Sequence, residues 1–330
     1  MPTLYPLTFQ PRFKDRVWGG RNLERLYAKP LPPKVVIGES WEIADRPGDA
    51  SVITNGPLAG HDLRWLMQNH RAALLGNAKP QGDTFPLLIK ILDAQQKLSL
   101  QVHPPANKAA QLGGEPKTEM WFIADAAPGA ELYVGLQRGI TRTDFKRKLA
   151  DGSVAECFHR IAVKPGDTMF LPSGRVHAIG AGLVIFEIQQ NSDTTYRVFD
   201  WNRAGLDGKP RELHVAQSLE SIDFADFEPP LVSGKVHDLS NASIRELVND
   251  PLFVVESWLM RSTDAVYWRK QRMQIIGVVS GTLTITSDAE VAPVALSAGQ
   301  FCLVPAELRT TELVAQPGSR FLRITCGSIE

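Results

Sequence analysis

Short apolar runs, rich in Val, Ile, Leu and Phe and bounded by glycine and proline, set the tightest limit on how this chain can fold. The runs at 85–92, 120–124, 168–171, 183–189, 253–260, 273–280 and 301–305 each have strand length. With 26 glycines and 23 prolines in 330 residues, turns recur often enough to end each run before it becomes a long helix. This is how an all-β sandwich or barrel reads. Helical signals are fewer and fall at 62–75, 105–112, 141–149 and 210–219. The third carries its own cap, because Thr141 precedes Asp144 by three residues and the carboxylate lies in the first turn. A Pro229-Pro230 pair follows the last helical segment, and a new strand-rich stretch begins after it. The expectation is a mainly β protein of two units: 1–228, with N-terminal strands and small helical additions, and 229–330.

Charge narrows the function classes. Lys plus Arg and Asp plus Glu both number 36, so the formal net charge is zero and no basic block is available to track a nucleic-acid backbone. Any anionic partner is expected to be small and locally bound. Residues 1–20 lack the apolar core of a signal peptide, and no stretch has the length needed to cross a bilayer, so a cytoplasmic protein without membrane association is expected. Cys157, Cys302 and Cys326 are widely spaced, with no pair at metal-ligand separation, and read as reduced structural thiols. No signal for oligomeric state is present, and no nucleotide-binding glycine loop occurs.

The most specific motif runs from Gly166 to His177, GDTMFLPSGRVH: a glycine, five residues, a proline, one residue, a glycine, two residues and a histidine. Glycine and proline suit two turns flanking a short strand, and the histidine heads the next strand, where a metal can use it. A hydrogen-bonded core histidine is the plainer reading of His177 taken alone. Upstream, residues 97–104 (KLSLQVHP) alternate with strand period, so Lys97, Ser99, Gln101 and His103 share one face. That face either points into a barrel or is solvated. Lys117 and Glu119, two apart, project together in the same way. Gln101, His103, Glu119 and His177 together provide two imidazoles, a carboxylate and a carboxamide. Such a set suits one Zn2+ per chain acting as a Lewis acid, although a redox iron site uses similar donors.

The Gly166–His177 spacing resembles the second motif of the cupin superfamily. With it, QVHP at 101–104, KTEMW at 117–121, LPSGRVHA at 171–178, EIQQNSDTTYRVFDW at 187–201, GESWE at 38–42 and KDRVWGG at 14–20 resemble the type I mannose-6-phosphate isomerase family in its shorter bacterial form. These motifs run in order from about residue 10 to residue 215. The resemblance implies two cupin-type jelly-roll barrels or sandwiches with a few short helices. It also implies zinc at Gln101, His103, Glu119 and His177, and a sugar phosphate, mannose 6-phosphate or fructose 6-phosphate, as the small-molecule partner. Lys117, Asp193 and Arg197 match polar positions near the reacting sugar. Gln101 stands where many cupins carry histidine, which weighs against an iron oxygenase.

Interconversion of these sugars moves a proton between C1 and C2 through an enediol. Lys117 is a candidate base, or else a group that binds phosphate or hydroxyl. Asp193 is a candidate for ring opening or proton relay, and Arg197 for the enediolate or the phosphate. Lys97 and Ser99 are further candidates for substrate contacts. In the C-terminal part, Gly299–Pro305 repeats the glycine, five residues and proline, but Thr310 falls at the histidine position, so a metal-free second unit is expected there. The competing reading is a catalytically silent sugar-phosphate-binding bicupin.

Overall fold

The computed structural model describes residues 3–78, 82–268 and 272–327. Eleven strands occupy the first two thirds: β1 (Arg12–Gly20), β2 (Ile37–Ile43), β3 (Leu87–Ala94), β4 (Leu100–Val102), β5 (Glu119–Ala126), β6 (Glu131–Leu136), β7 (Phe158–Ala162), β8 (Thr168–Leu171), β9 (His177–Ile179), β10 (Leu183–Gln190) and β11 (Tyr196–Phe199). Ten follow: β12 (Val236–Asp238), β13 (Ala242–Asn249), β14 (Phe253–Met260), β15 (Val266–Trp268), β16 (Gln274–Ser280), β17 (Thr282–Ser287), β18 (Val294–Ser297), β19 (Phe301–Val304), β20 (Thr311–Ala315) and β21 (Arg320–Cys326). The helices are α1 (Asn22–Tyr27), α2 (Leu63–Leu75), α3 (Ala106–Ala109), α4 (Arg142–Asp151) and α5 (Val215–Ser221).

The strands form two sandwiches. In the first, a six-stranded sheet of order β1-β2-β3-β10-β5-β8 packs on a five-stranded sheet of order β11-β4-β9-β6-β7. In the second, β12-β13-β14-β21-β16-β19 packs on β15-β20-β17-β18. The two six-stranded sheets face each other across a shared apolar layer. Ile89, Ile91, Phe122, Phe186 and Ile188 from the first meet Phe253, Val255, Ile275, Leu303 and Ile324 from the second, and Leu66 and Leu74 of α2 fill the same layer. Leu7 also pairs with Leu303 as an antiparallel bridge, so the N-terminal segment is stitched to the second sandwich. The expected mainly β fold of two jelly-roll-type sandwiches with few short helices is therefore present.

Strand periodicity explains how the first sandwich makes both a floor and a mouth. Residues two apart in a strand share a face, so if Ile89 and Ile91 of β3 face the apolar layer, Lys90 and Leu92 face the sandwich interior. The same alternation turns Glu187 and Ile185 of β10, Glu119, Trp121 and Ile123 of β5, and Glu39 and Trp41 of β2 inward. One end of the interior is filled by Leu92, Leu98, Ile123, Leu132, Ile179 and Ile185. The other end receives the charged groups.

The interior of the second sandwich is apolar, built on Trp258, Trp268, Ile276, Val278, Leu313 and Phe321. Gly299 there takes φ +79°, as its turn demands. Thr310 is exposed and stands outside that interior. All three cysteines are buried thiols.

Two helical expectations are corrected. The segment read as a helix over 210–219 is helical only over Val215–Ser221, because Arg211 is drawn out of any helix by a bidentate pairing with Asp200 at 2.7 and 2.6 Å. α1 was not anticipated; its first amide, Asn22 N, donates to Asp93 Oδ2 at 2.7 Å, so its cap lies 71 residues away in sequence. By contrast α4 begins at Thr141 with a complete capping box to Asp144.

Candidate active site and metal centre

The GDTMFLPSGRVH segment folds as its spacing requires. Gly166 adopts φ +91° and Gly174 φ +93°, left-handed values that a side chain would strain, and β8 runs between the two turns. Gly174 N donates to His103 O at 2.9 Å, which ties the second turn to the end of β4. His177 opens β9 and pairs in register with Gln101 of β4 and Val134 of β6. Glu119 opens β5 opposite Leu171 on one side and Gln189 on the other.

These registers bring three donors to one point. The candidate ligand atoms of His103, Glu119 and His177 lie within 4.8 Å of one another. His103 Nε2 is 3.4 Å from Glu119 Oε2, and His177 Nε2 is 3.3 Å from Glu119 Oε1. Gln101 Nε2 lies 3.2 Å from His177 Nε2, so the carboxamide is the fourth member of the group. Each imidazole is held from behind: His103 Nδ1 donates to Thr194 O at 2.8 Å and His177 Nδ1 to Arg175 O at 2.9 Å. A carbonyl only accepts, so both Nδ1 atoms carry the proton and both Nε2 atoms present a lone pair to the centre.

Within the chain this arrangement is unsatisfied. His103 Nε2 and both carboxylate oxygens of Glu119 are buried with no hydrogen-bond partner among the described residues. Lys117 Nζ offsets the charge at Glu119 Oε2 from one side, but the imidazole nitrogens and Glu119 Oε1 still converge as acceptors, which costs free energy unless something positive sits between them. Burial, reinforced by Lys117, pushes His103 down to about 4. Burial also pulls His177 down, and so keeps it neutral. For Glu119 burial acts the other way, but the Lys117 ammonium beside it outweighs that and holds the carboxyl well below the usual carboxylate range. Two neutral imidazoles beside a carboxylate fit a divalent cation, and the donor set suggests a metal site.

A cavity of about 550 Å³ opens over this centre. Gln101 and Lys117 line it and also touch the donors beneath, since Lys117 Nζ is 3.0 Å from Glu119 Oε2. Ser99, Asp193 and Arg197 line it as well. The anticipated residues thus gather at one place, with a single exception. Lys97 is not among the lining residues; its ammonium lies 4.7 Å from the ring centre of Trp201 and 5.2 Å from that of Tyr133. The alternation that carries Ser99 and Gln101 to the cavity does not reach Lys97, whose ammonium is drawn instead to the faces of Trp201 and Tyr133.

Among the cavity-wall residues that were not singled out as site residues are Arg16, Glu39, Lys90 and Glu187. They form a network in which Glu39, Lys90 and Glu187 are buried and Arg16 is partly exposed. Lys90 Nζ lies 3.2 Å from Glu187 and 3.8 Å from Glu39, and Arg16 Nε is 2.8 Å from Glu39. Each carboxylate also accepts an indole N–H, Glu39 from Trp41 at 2.7 Å and Glu187 from Trp121 at 2.9 Å. Burial would raise Glu39, yet Lys90, Arg16 and these hydrogen bonds bring it to about 2. Glycine allows the approach that builds this wall. A Cβ on Gly19 would fall 2.5 Å from Gly38 N, so β1 and β2 could not draw together where Arg16 meets Glu39. The available signal was a lysine inside the otherwise apolar run LLIKIL. Arg211, Gly205, Leu206 and Asp207 complete the rim from the segment after β11.

A family model described as phosphomannose isomerase type I, catalytic domain, matches residues 7–120. Mannose-6-phosphate isomerase ManA of Bacillus subtilis is 37% identical over 310 residues, covering 92% of this chain and 94% of the relative. The chain belongs to the type I phosphomannose isomerase family. A second relative from the same organism, described as probable mannose-6-phosphate isomerase GmuF, is 36% identical over 286 residues, covering 86% and 89% of the two chains. A crystal structure of the Bacillus subtilis mannose 6-phosphate isomerase superposes with a TM-score of 0.87 at 28% identity, covering 97% of this chain and 99% of that one. The structure of an Archaeoglobus fulgidus protein, at TM-score 0.74 and 21% identity, shares the fold. No helix among the described residues is long and apolar enough to cross a membrane.

Proposed function

We infer that the protein is an aldose–ketose isomerase that interconverts mannose 6-phosphate and fructose 6-phosphate, with one Zn2+ held by Gln101, His103, Glu119 and His177. The observation that carries this reading is the buried convergence of His103 Nε2, His177 Nε2 and the Glu119 carboxylate, whose one charged neighbour in the cluster is Lys117, directly below a polar cavity in a chain of this family. Nitrogen and carboxylate donors suit zinc, and an isomerisation involves no net electron transfer, so a redox-inert ion suffices. When bound, the ion supplies Lewis-acid polarisation of the sugar oxygens at C1 and C2.

The remaining work falls to the chain itself. Lys117 and Asp193 both line the cavity, and they are the groups assigned to moving the proton between C2 and C1 and to opening the sugar ring. General acid–base groups need to lie within hydrogen-bond reach of the carbon acid, and what supports Lys117 in that part is its place in the cavity lining beside Glu119. Arg197 gives the rim a guanidinium that a phosphate or an enediolate oxygen can use, whereas the fork of Arg211 is already taken by Asp200. Arg197 Nη1 donates to Glu212 O at 2.7 Å, and its buried Nε has no hydrogen-bond partner among the described residues. Ser99 offers a hydroxyl to the substrate from the cavity wall.

Purified protein with zinc is expected to convert mannose 6-phosphate to fructose 6-phosphate. Chelation is expected to abolish turnover and added zinc to restore it. An unchanged rate in metal-free protein would refute the role of the ion, and no conversion under any metal would refute the reaction.

A further inference from the structure

The segment joining β10 to β11 does two jobs at once, and one buried side chain holds it. Gln189 is fully buried and stands in register opposite Glu119. Its amide nitrogen donates to Gln190 O at 2.8 Å and to Ser192 O at 2.6 Å. Its amide oxygen is buried with no hydrogen-bond partner among the described residues. Turning the amide over would set that oxygen against two carbonyls, so the nitrogen faces the loop by necessity. An amide that fills both donors and leaves its acceptor bare is kept there as a two-pronged donor.

The loop it holds reaches the site in two places. Thr194 O accepts the Nδ1 proton of His103 at 2.8 Å, which fixes the tautomer and the direction of Nε2. One residue earlier, Asp193 lines the cavity, close enough to Arg16 and Lys90 to favour their charged forms. Ser192 braces the same turn from inside, its hydroxyl accepting from Thr194 N at 3.2 Å. Arg46 fixes the near end through a bond to Asn191 O at 2.9 Å.

We propose that Gln189 is a positioning residue for this centre: through the 190–194 loop it aims His103 Nε2 at the metal and sets Asp193 at the cavity wall. The proposal rests on the metal-dependent reading above. Outer partners of a ligating histidine typically govern metal affinity by about 10–100-fold, and here that partner is a backbone carbonyl whose place depends on Gln189.

The test uses Gln189→Met, which keeps the length of the side chain and removes both donors, and Ser192→Ala, which loosens the same loop and leaves Gln189 intact. Metal-free proteins are compared first by thermal unfolding, so that if Gln189→Met does not fold, Ser192→Ala carries the test. Zn2+ affinity is measured by competition with a chelator, and Co2+ is substituted to read ligand geometry from its visible absorption. Gln189→Met is expected to bind Zn2+ about 10–100-fold more weakly, with an altered Co2+ spectrum and a fall in kcat larger than any change in KM. Ser192→Ala is expected to shift each readout in the same direction by less. Native Zn2+ affinity and a native Co2+ spectrum in both folded variants would overturn the proposal. Failure of the parent protein to bind Zn2+ or Co2+ would overturn the metal-dependent reading itself, and it would show before any variant is compared.

Discussion

Replacing Lys90 by methionine removes the ammonium that sits between two buried carboxylates, and the consequence follows from the distances. At an effective dielectric constant of about 20, unit charges separated as Lys90 is from Glu187 (3.2 Å) and from Glu39 (3.8 Å) attract by about 5 and about 4 kcal/mol. Removing the ammonium also removes its own desolvation penalty, which is several kcal/mol for a buried ion. The net loss expected is about 3–5 kcal/mol, the range for stripping one partner from a buried pair. The two carboxylates do not suffer equally. Glu39 keeps Arg16 at 2.8 Å and the Trp41 N–H at 2.7 Å. Glu187 keeps the Trp121 indole at 2.9 Å and is left as the uncompensated charge. Lys90→Met combined with Glu187→Gln is therefore expected to recover much of the loss. Thermal unfolding of the metal-free proteins, followed by both circular dichroism and tryptophan fluorescence, measures this. For a folding unit of about 200 residues the single variant should lower Tm by roughly 6–20 °C. A loss below about 1 kcal/mol, or a double variant no more stable than the single one, would refute the reasoning.

Lys117→Ala is expected to keep its zinc and lose turnover by about 10²–10⁴-fold, the usual weight of a positioned acid–base group; steady-state rates alongside metal content check it. Thr141→Ala breaks the capping box of α4 and should cost about 1 kcal/mol in denaturant unfolding with activity unchanged, since no residue of that helix lines the cavity. Glu39 is depressed from 4.5 to about 2 in the folded chain, so its contribution to stability is complete above its ordinary value and is lost as pH falls from there toward 2. A Glu39→Gln variant should accordingly show a shallower decline of stability across that window, and an unaltered acid-unfolding profile would contradict the assignment.

Local chemistry made the metal end of the site legible, and distance in sequence hid the rest. The turn residues Gly166, Pro172 and Gly174 announce β8 and aim His177 by backbone geometry alone, while Thr141 and Asp144 announce α4 by a contact three residues long. Lys90, Glu39, Glu187 and Arg16 sit on four different strands, and only the β1-β2-β3-β10 pairing makes them neighbours. No spacing rule encodes that pairing. α1 was hidden for the same reason, its cap being supplied by Asp93. The false helix start at Pro210 shows the converse. A proline suited to a first helical turn was outweighed by the buried carboxylate of Asp200, which pairs with Arg203 and Arg211 and holds Arg211 outside the helix that begins at Val215. Lys97 departs from the alternation that Ser99, Gln101 and His103 keep, because its ammonium packs over the rings of Trp201 and Tyr133.

Metal stoichiometry in the parent chain and in His177→Ala, read by elemental analysis after dialysis against limiting zinc, bears most directly on the whole account. One zinc per chain in the parent, with none retained by the variant and turnover lost alongside it, is the predicted result. Stoichiometric zinc and undiminished turnover in His177→Ala would contradict it.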